Sequence, residues 1–430
     1  MADTGTDDKK EEKDQEDRGL TKWLKLLGPG LVTGASDDDP SGIATYSQAG
    51  AQYGLNTLWT ALITFPLMAS IQEMCARIGI VTTRGLTGIL KKHYPAPILW
   101  LMVVFSLPAI ILNIGADIAG MGAVANLIIP AVPALWFSVI FTVLLLGAII
   151  WLPYAKVASV LKWLCAVLLV YLIVPFLAHL DWAKVARDTL VPHIEWNKAY
   201  INVLVAILGT TISPYLFFWQ ANMEVENAKQ SKGLIVDRKQ IKEMGFDVDI
   251  GMLFSNVVMF FIILTTGTVL FNAGIHQIDT VEQAAKALEP LAGDAAYYLF
   301  ALGIIGTGFL AIPVLSGSLS YILSETFGWE EGLDKRFNEA PAFYGVIIVA
   351  LLVGLAINYV GISPIQALIW SAILYGLTSP VIIAIVLHIS NNKAVMGEFT
   401  NGLWSNILGA LTFVLMTAAA GFMLYFQFAG

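Results

Sequence analysis

Residues 33–42 read Thr-Gly-Ala-Ser-Asp-Asp-Asp-Pro-Ser-Gly and place three consecutive carboxylates and a proline inside an otherwise apolar stretch. Pro40 has no amide hydrogen to donate and clashes with a continuing helix, while Ser41 and Gly42 weaken helical structure further. The stretch therefore predicts a helix that is interrupted at these carboxylates.

The composition indicates an integral membrane protein. Of the 430 residues, 57% are hydrophobic and 13% are charged, whereas an average soluble domain has about 25% charged residues. Eleven apolar segments are long enough for membrane-spanning helices, which need about 20 residues each. They cover residues 27–50, 56–80, 96–125, 134–154, 157–180, 200–222, 247–274, 296–323, 342–360, 364–390 and 403–428. Because the segments are continuously apolar, they favour helices over a β-barrel.

The distribution of Lys and Arg indicates the orientation in a cell membrane, since these residues accumulate on the cytoplasmic side. With the N-terminus in the cytoplasm, all of the 24 Lys and Arg residues except Lys184, Arg187, Lys198 and Lys286 lie on the cytoplasmic side. The same count places the C-terminus outside.

A second interruption is predicted in the sixth segment, where Pro214 follows the small and hydroxyl residues of Leu-Gly-Thr-Thr-Ile-Ser at 208–213. Transporters built on inverted repeats place one broken helix in each half, and both breaks face a central site near the bilayer midplane. Taken alone, Pro214 could be a simple kink, and Asp39 with Pro40 could be an ordinary helix N-cap in a solvated turn. Together they favour a central binding site.

The domain organisation follows from these two breaks. Residues 1–25 are too polar to form a core and are predicted to be a disordered cytoplasmic tail. Residues 26–180 and 200–390 are predicted to be two five-span repeats joined by an extracellular loop at 181–199, and residues 391–430 hold the eleventh span.

The carboxylates of the first break favour a cation as the bound species. A broken helix is tolerated inside a membrane where protein buries it or where it lines a wet cavity, and ionisable residues at such depth mark an ion or substrate path. Glu224 and Glu226, at the inner end of the sixth segment, are expected to be solvated or paired with Arg.

Several other classes of function have little support in the sequence. The net charge of −8 argues against nucleic acid as a partner. The five His residues form no metal motif and no nucleophile with a base is recognisable, so we predict neither an enzyme nor a bound cofactor. Cys75 and Cys165 make neither a disulfide framework nor a zinc motif.

The sequence resembles the Nramp family of divalent metal transporters along nearly the whole membrane part. The resemblance rests on residues 28–52 around Asp39 and Pro40, Ala-Asp-Ile-Ala at 116–119, Phe-Ala-Leu-Gly at 300–303 and Met-Gly-Glu-Phe at 396–399. It implies a fold of eleven transmembrane helices with a LeuT-type 5+5 inverted repeat plus one helix, helices 1 and 6 broken at mid-membrane, and transport by alternating access. We expect a monomer in the lipid bilayer.

The departures from the family lie at the metal site. The family has Asp-Pro-Gly-Asn where this chain has Asp39, Pro40, Ser41 and Gly42, and Met-Pro-His where it has Ser213, Pro214 and Tyr215. Soft sulfur ligands favour late transition metals, whereas oxygen ligands suit Mg²⁺ and Mn²⁺, and Mg²⁺ keeps several of its waters. The pattern resembles the prokaryotic Nramp-related magnesium transporters and implies import of partly hydrated Mg²⁺, and of Mn²⁺ as well.

The resemblance also assigns candidate residues. Asp39 is the expected charged ligand, and the other metal-site candidates are Asp38, Gly42, Thr210 and Ser213. Candidates for the transport path are Asp37, Asp117, Tyr215 and Thr378. For Thr210, Ser213 and Thr378 the alternative is a hydroxyl that bonds to a carbonyl of its own helix.

Proton coupling is not expected. Asp117 matches the first acid of the family's third helix, but the second falls on Gly120, and the family's histidines fall on Tyr215 and Gln220, which do not titrate in the working pH range. The alternatives are a proton-coupled Mn²⁺ or Fe²⁺ importer, a carrier of another solute on the same fold, and an Nramp-like membrane sensor. A sensor is expected to carry a soluble output domain, and the sequence ends at Gly430.

Overall fold

The computed structural model describes residues 28–152, 166–177, 180–230 and 236–428. The predicted tail at residues 1–25 lies outside the described residues, and so does the connection between the fourth and fifth predicted segments. The helices are α1 Pro29–Asp37, α2 Pro40–Tyr53, α3 Trp59–Thr82, α4 Leu86–His93, α5 Ala96–Ile128, α6 Ala134–Trp151, α7 Val170–Leu177, α8 Trp182–Leu190, α9 Lys198–Thr211, α10 Pro214–Gln230, α11 Arg238–Val269, α12 Val281–Ala285, α13 Glu289–Ala292, α14 Ala296–Phe327, α15 Pro341–Ile357, α16 Pro364–Asn391, α17 Lys393–Met396 and α18 Leu403–Phe428.

The fold is helical throughout the described residues, in agreement with the predicted class. Eight stretches of the described chain are long and apolar enough to cross a membrane. The first predicted segment is divided between α1 and α2, which have 9 and 14 residues, so neither half alone has the length of a span. The count of eleven stays a prediction.

Helices α1 and α2 lie at the centre of the bundle. Helix α11 packs along both of them, and α2 also contacts α5, α9 and α16. Every described residue of α2 from Pro40 to Ala51 is buried. Helix α14 contacts both α1 and α2 as well, so other helices enclose the chain between them.

Glycines allow α1 and α11 to approach closely. A Cβ atom at Gly34 would lie 2.0 Å from the carbonyl oxygen of Gly251, and one at Gly251 would lie 2.0 Å from that of Gly30. Small residues permit this kind of backbone contact between helices in membranes. The position of α1, and with it the three carboxylates, depends on these contacts.

The two proline positions coincide with helix ends. Helix α1 ends at Asp37 and α2 begins at Pro40, while α9 ends at Thr211 and α10 begins at Pro214. Backbone carbonyls near these ends accept side-chain hydrogen bonds: Tyr215 donates to the carbonyl of Ser36 at 3.0 Å, and Ser379 donates to that of Ile212 at 3.2 Å. The depth of both interruptions in a membrane stays a prediction.

Candidate functional site

Asp39 is held between two helices and is almost fully buried, with 1% of its surface exposed. Its Oδ1 accepts a hydrogen bond from the backbone amide of Gly42 at 2.7 Å, so that Asp39 caps α2 with Pro40 in the first turn. Its Oδ2 accepts one from Asn113 Nδ2 at 2.8 Å. The N-cap geometry named as the alternative for Asp39 is therefore present, but the turn is enclosed by the bundle and not solvated.

Asn113 on α5 links Asp39 to a second carboxylate. The same Nδ2 atom donates to Asp117 Oδ2 at 3.3 Å, and Asn113 Oδ1 accepts a hydrogen bond from Ser371 on α16 at 2.7 Å. Ser371 Oγ in turn lies 3.0 Å from Ser41 Oγ. The sequence interpretation missed this network, although Asn113 lies one turn before Asp117 on the same helix face, and that spacing in an apolar helix is a usable signal.

Asp37 and Asp38 are fully buried and share a single hydroxyl partner. Ser255 Oγ on α11 lies 2.7 Å from Asp37 Oδ2 and 3.4 Å from Asp38 Oδ1. The other oxygens of both side chains, and Oδ1 of Asp117, are buried without a hydrogen-bond partner among the described residues. Uncompensated carboxylate oxygens in a low-dielectric interior are costly, so they require a proton or a cation.

The candidates on α9 and α10 approach the same break. A Cβ atom at Gly42 would lie 3.4 Å from Thr210 Oγ1 and 3.4 Å from the carbonyl oxygen of Asp37, which puts Thr210 beside the carboxylate segment. Ser213 Oγ donates to the carbonyls of Thr210 at 2.5 Å and Gly209 at 3.2 Å. This is the local bonding named as the alternative for Ser213, and it leaves the hydroxyl's lone pairs available.

Two path candidates lie at the edge of the cluster. The Tyr215 hydroxyl donates to the Ser36 carbonyl, and its ring packs on Tyr375 with 5.6 Å between centroids. Thr378 donates to the carbonyls of Leu374 and Tyr375 in its own helix. The structure therefore brings Tyr215 to the end of α1, while the hydroxyl of Thr378 bonds within α16.

The four carboxylates of the cluster have no basic partner in the described chain. None of the ion pairs formed by described residues includes Asp37, Asp38, Asp39 or Asp117. The described residues also contain no group of three His, Cys, Asp or Glu side chains arranged around one metal position. The cluster therefore offers a cation the carboxylate of Asp39, which already accepts two hydrogen bonds, the buried carboxylates next to it in the chain, and nearby hydroxyl and carbonyl oxygens.

Glu224 is buried, with 3% of its surface exposed, so the expectation that it is solvated or paired with Arg is wrong. Its Oε1 accepts from Gln220 Nε2 at 3.0 Å, and Gln220 Oε1 accepts from Thr33 of α1 at 2.5 Å. A cavity of about 300 Å³ beside it is also lined by Asp247. This polar chain connects α1 to α10.

Asp247 of α11 anchors the start of α1. Its carboxylate accepts hydrogen bonds from the backbone amides of Gly28 and Gly30, both at 2.7 Å. Free amides at a helix N-terminus favour a negative partner. Helix α1, which ends at the first carboxylate of the cluster, Asp37, is thus held at its start by Asp247 and at its end by Ser255.

Comparisons with known proteins show what the chain is similar to. The family described as Nramp, natural resistance-associated macrophage protein-like, matches residues 30–426. The divalent metal cation transporter MntH of Caldanaerobacter subterraneus is 26% identical over 417 residues, which cover 96% of this chain and 95% of that protein.

Solved structures share the fold. A manganese transporter of Eremococcus coleocola superposes with a TM-score of 0.72 at 19% identity over 94% of this chain and 87% of its own. Mhp1, a nucleobase-cation-symport-1 family transporter, gives 0.53 at 11% identity over 93% of this chain and 92% of its own. The all-helical fold is therefore that of Nramp transporters and, more broadly, of LeuT-like transporters.

Proposed function

The chain belongs to the Nramp family, and on that premise we propose that it transports divalent metal ions across the membrane, with Mg²⁺ as its main substrate and Mn²⁺ also carried. In this proposal the chain is a plasma-membrane importer with a cytoplasmic N-terminus that works by alternating access. The ion binds at the break between α1 and α2, with Asp39 as the main charged ligand.

The observation that carries the proposal is the set of atoms around that break. Buried carboxylates lie there without an ion-pair partner among the described residues, and the neighbouring groups that can bind a cation include the oxygens of Thr210, Ser213 and Ser255. Oxygen ligands suit Mg²⁺ and Mn²⁺ better than they suit soft transition metals. A carboxylate has about four lone-pair sites, so Asp39 keeps acceptor capacity beside its two hydrogen bonds.

The scarcity of converging charged ligands supports a partly hydrated ion. Mg²⁺ dehydrates reluctantly and is usually held by one or two carboxylates with several waters retained. A site without three converging acidic or histidine side chains in the described chain fits that mode of binding. Asp38 and Asp37 would then act on the hydrated ion through water and through their charge.

Proton-coupled import of Mn²⁺ is the second candidate, and a specific observation favours it. Asp117 and Glu224 are both buried and titratable, and Glu224 is joined through Gln220 to Thr33 of α1. Such groups form proton relays in transporters. The related proteins named above are a divalent metal cation transporter and a manganese transporter, which fits this candidate as well.

The decisive variant is Asp39→Asn, because Asn is also a good N-cap and preserves the shape of the side chain. We expect Mg²⁺ influx into proteoliposomes, read with a trapped magnesium dye at an inside-negative potential, to fall by about tenfold or more when this charge is removed. The measurement is the initial rate of dye response at several Mg²⁺ concentrations.

Asp181→Asn is the matched control. Asp181 caps α8 by accepting from the amides of Ala183 and Lys184, and it is exposed. Its variant should transport as the unaltered chain does. Equal Mg²⁺ influx in the Asp39→Asn variant and in this control would show that Asp39 is not part of the site. If the unaltered chain carried Mn²⁺ but not Mg²⁺, it would be a transition-metal transporter and the proposed Mg²⁺ specificity would be wrong.

A further inference from the structure

A second polar cavity, of about 690 Å³, lies away from the carboxylate cluster, where the turn between α3 and α4 meets the ends of α10 and α14. By the distribution of Lys and Arg, this is the predicted cytoplasmic side. We call it the basic pocket, and its charged lining residues are Arg84, Lys91, Lys92, Lys229, Glu325 and Glu331.

The four basic residues of the pocket are not neutralised by ion pairs. None of them lies within ion-pair distance of a carboxylate in the described chain. Arg84, Lys91, Lys92 and Lys229 are all exposed. Lys91 reaches across to the end of α14, where its Nζ would lie 3.1 Å from a Cβ atom at Gly328.

The two carboxylates compensate this charge only in part. Glu325 accepts hydrogen bonds from the amides of Gly85 at 2.6 Å and Gly88 at 3.0 Å and from the hydroxyl of Thr87, so its charge is directed at the start of α4. In the loop after α14, burial, and then the nearby charge of Glu325, raise the pKa of Glu331 to about 8. With four basic side chains against two carboxylates, the lining of the pocket keeps a positive balance.

A hydrogen-bond donor without a partner also lies in the pocket wall. Ser324 is fully buried, and its Oγ has no hydrogen-bond partner among the described residues. Buried polar groups are nearly always hydrogen-bonded, so an unpaired one that lines a cavity indicates a missing partner. Trp329 lines the same pocket, with its ring stacked on Phe327 at 4.8 Å.

We propose that the basic pocket binds a phosphate-bearing anion. Arg and Lys side chains together with a hydroxyl donor are the groups that recognise phosphate oxygens. The volume exceeds that of a single phosphate and lies in the range of small-molecule sites. The phosphate group can come from a soluble di- or triphosphate or from the headgroup of an anionic phospholipid, since basic pockets at the cytoplasmic side of membrane helices bind such headgroups.

The test uses the double variant Lys91→Gln, Lys92→Gln, with Lys393→Gln as the matched control. Lys393 is an exposed lysine on α17, predicted to lie on the same side of the membrane but outside the pocket. In the first arm, the full chain in an uncharged detergent is titrated with pyrophosphate by calorimetry. In the second, native mass spectrometry counts phosphatidylglycerol molecules retained after reconstitution in mixed phosphatidylcholine and phosphatidylglycerol nanodiscs.

We expect the double variant to weaken pyrophosphate binding by about tenfold, or to lose a retained phosphatidylglycerol, because each lysine supplies a charge-assisted contact. The control should bind as the unaltered chain does, and binding should weaken with added salt. Loss of pyrophosphate binding in the first arm identifies the ligand as a soluble phosphate compound. Loss of retained phosphatidylglycerol in the second arm identifies it as a lipid headgroup.

The single variant Arg84→Gln guards against a folding defect, since Arg84 is exposed. It should reduce binding in the same arm of the test in which the double variant reduces it. If both variants match Lys393→Gln in both arms, the proposal is overturned. Neither measurement depends on the ion that the chain transports, so its outcome stands apart from the proposed function.

Discussion

At the scale of single residues, Asn113 is the group that ties the carboxylate cluster together. It donates to Asp39 and Asp117 with one nitrogen and accepts from Ser371 with its oxygen. Groups that orient a metal ligand typically change metal affinity by 10- to 100-fold when they are removed. Asn113 is therefore a positioning residue for Asp39 in the proposed site.

Asn113→Ala should raise the Mg²⁺ concentration for half-maximal uptake by about tenfold, because Asp39 loses the donor that fixes its Oδ2. The measurement is dye-monitored uptake in proteoliposomes over a range of Mg²⁺ concentrations. Asn126→Ala on the same helix is the control, since Asn126 donates to the carbonyl of Val132 instead. An unchanged half-maximal concentration in Asn113→Ala would rule out the positioning role.

Ser213→Met should shift preference toward Cd²⁺ over Mg²⁺, because it introduces a soft sulfur ligand beside the Thr210 carbonyl. The measurement is inhibition of Mg²⁺ uptake by Cd²⁺. Ser213→Leu has a similar volume without sulfur and separates size from ligand chemistry. The same Cd²⁺ inhibition in both variants would count against contact between Ser213 and the ion.

At the scale of helices, the position of the carboxylates depends on the packing of α1 against α11. The glycine contacts bring the two backbones together, and Asp247 and Ser255 of α11 bond to the start and end of α1. A side chain between these helices would displace the whole of α1, including Asp37 at its end.

Gly34→Ala should destabilise the protein by about 1–3 kcal/mol, because its Cβ would lie 2.0 Å from the Gly251 carbonyl oxygen in a closely packed interface. The measurement is thermal unfolding in detergent, followed by metal uptake. Gly345→Ala on α15 is the matched control, since nothing lies within 4 Å of its Cβ position. Equal melting temperatures in the two variants would contradict this account of the α1–α11 contact.

At the scale of the whole molecule, the proposed transport is driven by the ion gradient and the membrane potential. A doubly charged ion that crosses 100 mV gains about 4.6 kcal/mol, twice the value for one charge. Tyr215 and Gln220, which the resemblance places at the family's histidine positions, are both engaged in hydrogen bonds to neighbouring groups.

If transport is not coupled to protons, a pH-sensitive dye inside the vesicles should show no change in signal during Mn²⁺ uptake. The uptake rate should rise with an inside-negative potential. The two signals are recorded on the same proteoliposomes with and without a potassium diffusion potential. Acidification that depends on Mn²⁺ would establish proton coupling, and Glu224→Gln would then test whether that residue carries the proton.

The sequence alone determined the helical membrane class and the positions of the two helix ends. Apolar length needs no tertiary context, and proline disrupts a helix by local sterics, which is why helices begin at Pro40 and Pro214. The choice of Asp39, Gly42, Thr210 and Ser213 as neighbours came from the resemblance to a family, and Gly42 and Thr210 do lie side by side.

Only the tertiary structure decided which polar side chains face the carboxylates. Asn113, Ser255 and Ser371 lie on three helices that are distant in sequence, and hydroxyl and amide residues are common in membrane helices without any such role. Glu224 was misjudged for the same reason, since its burial depends on how α1, α3 and α14 pack around α10. Helix periodicity is local, whereas the partners of a buried charge are set by helix packing, and packing decided the site.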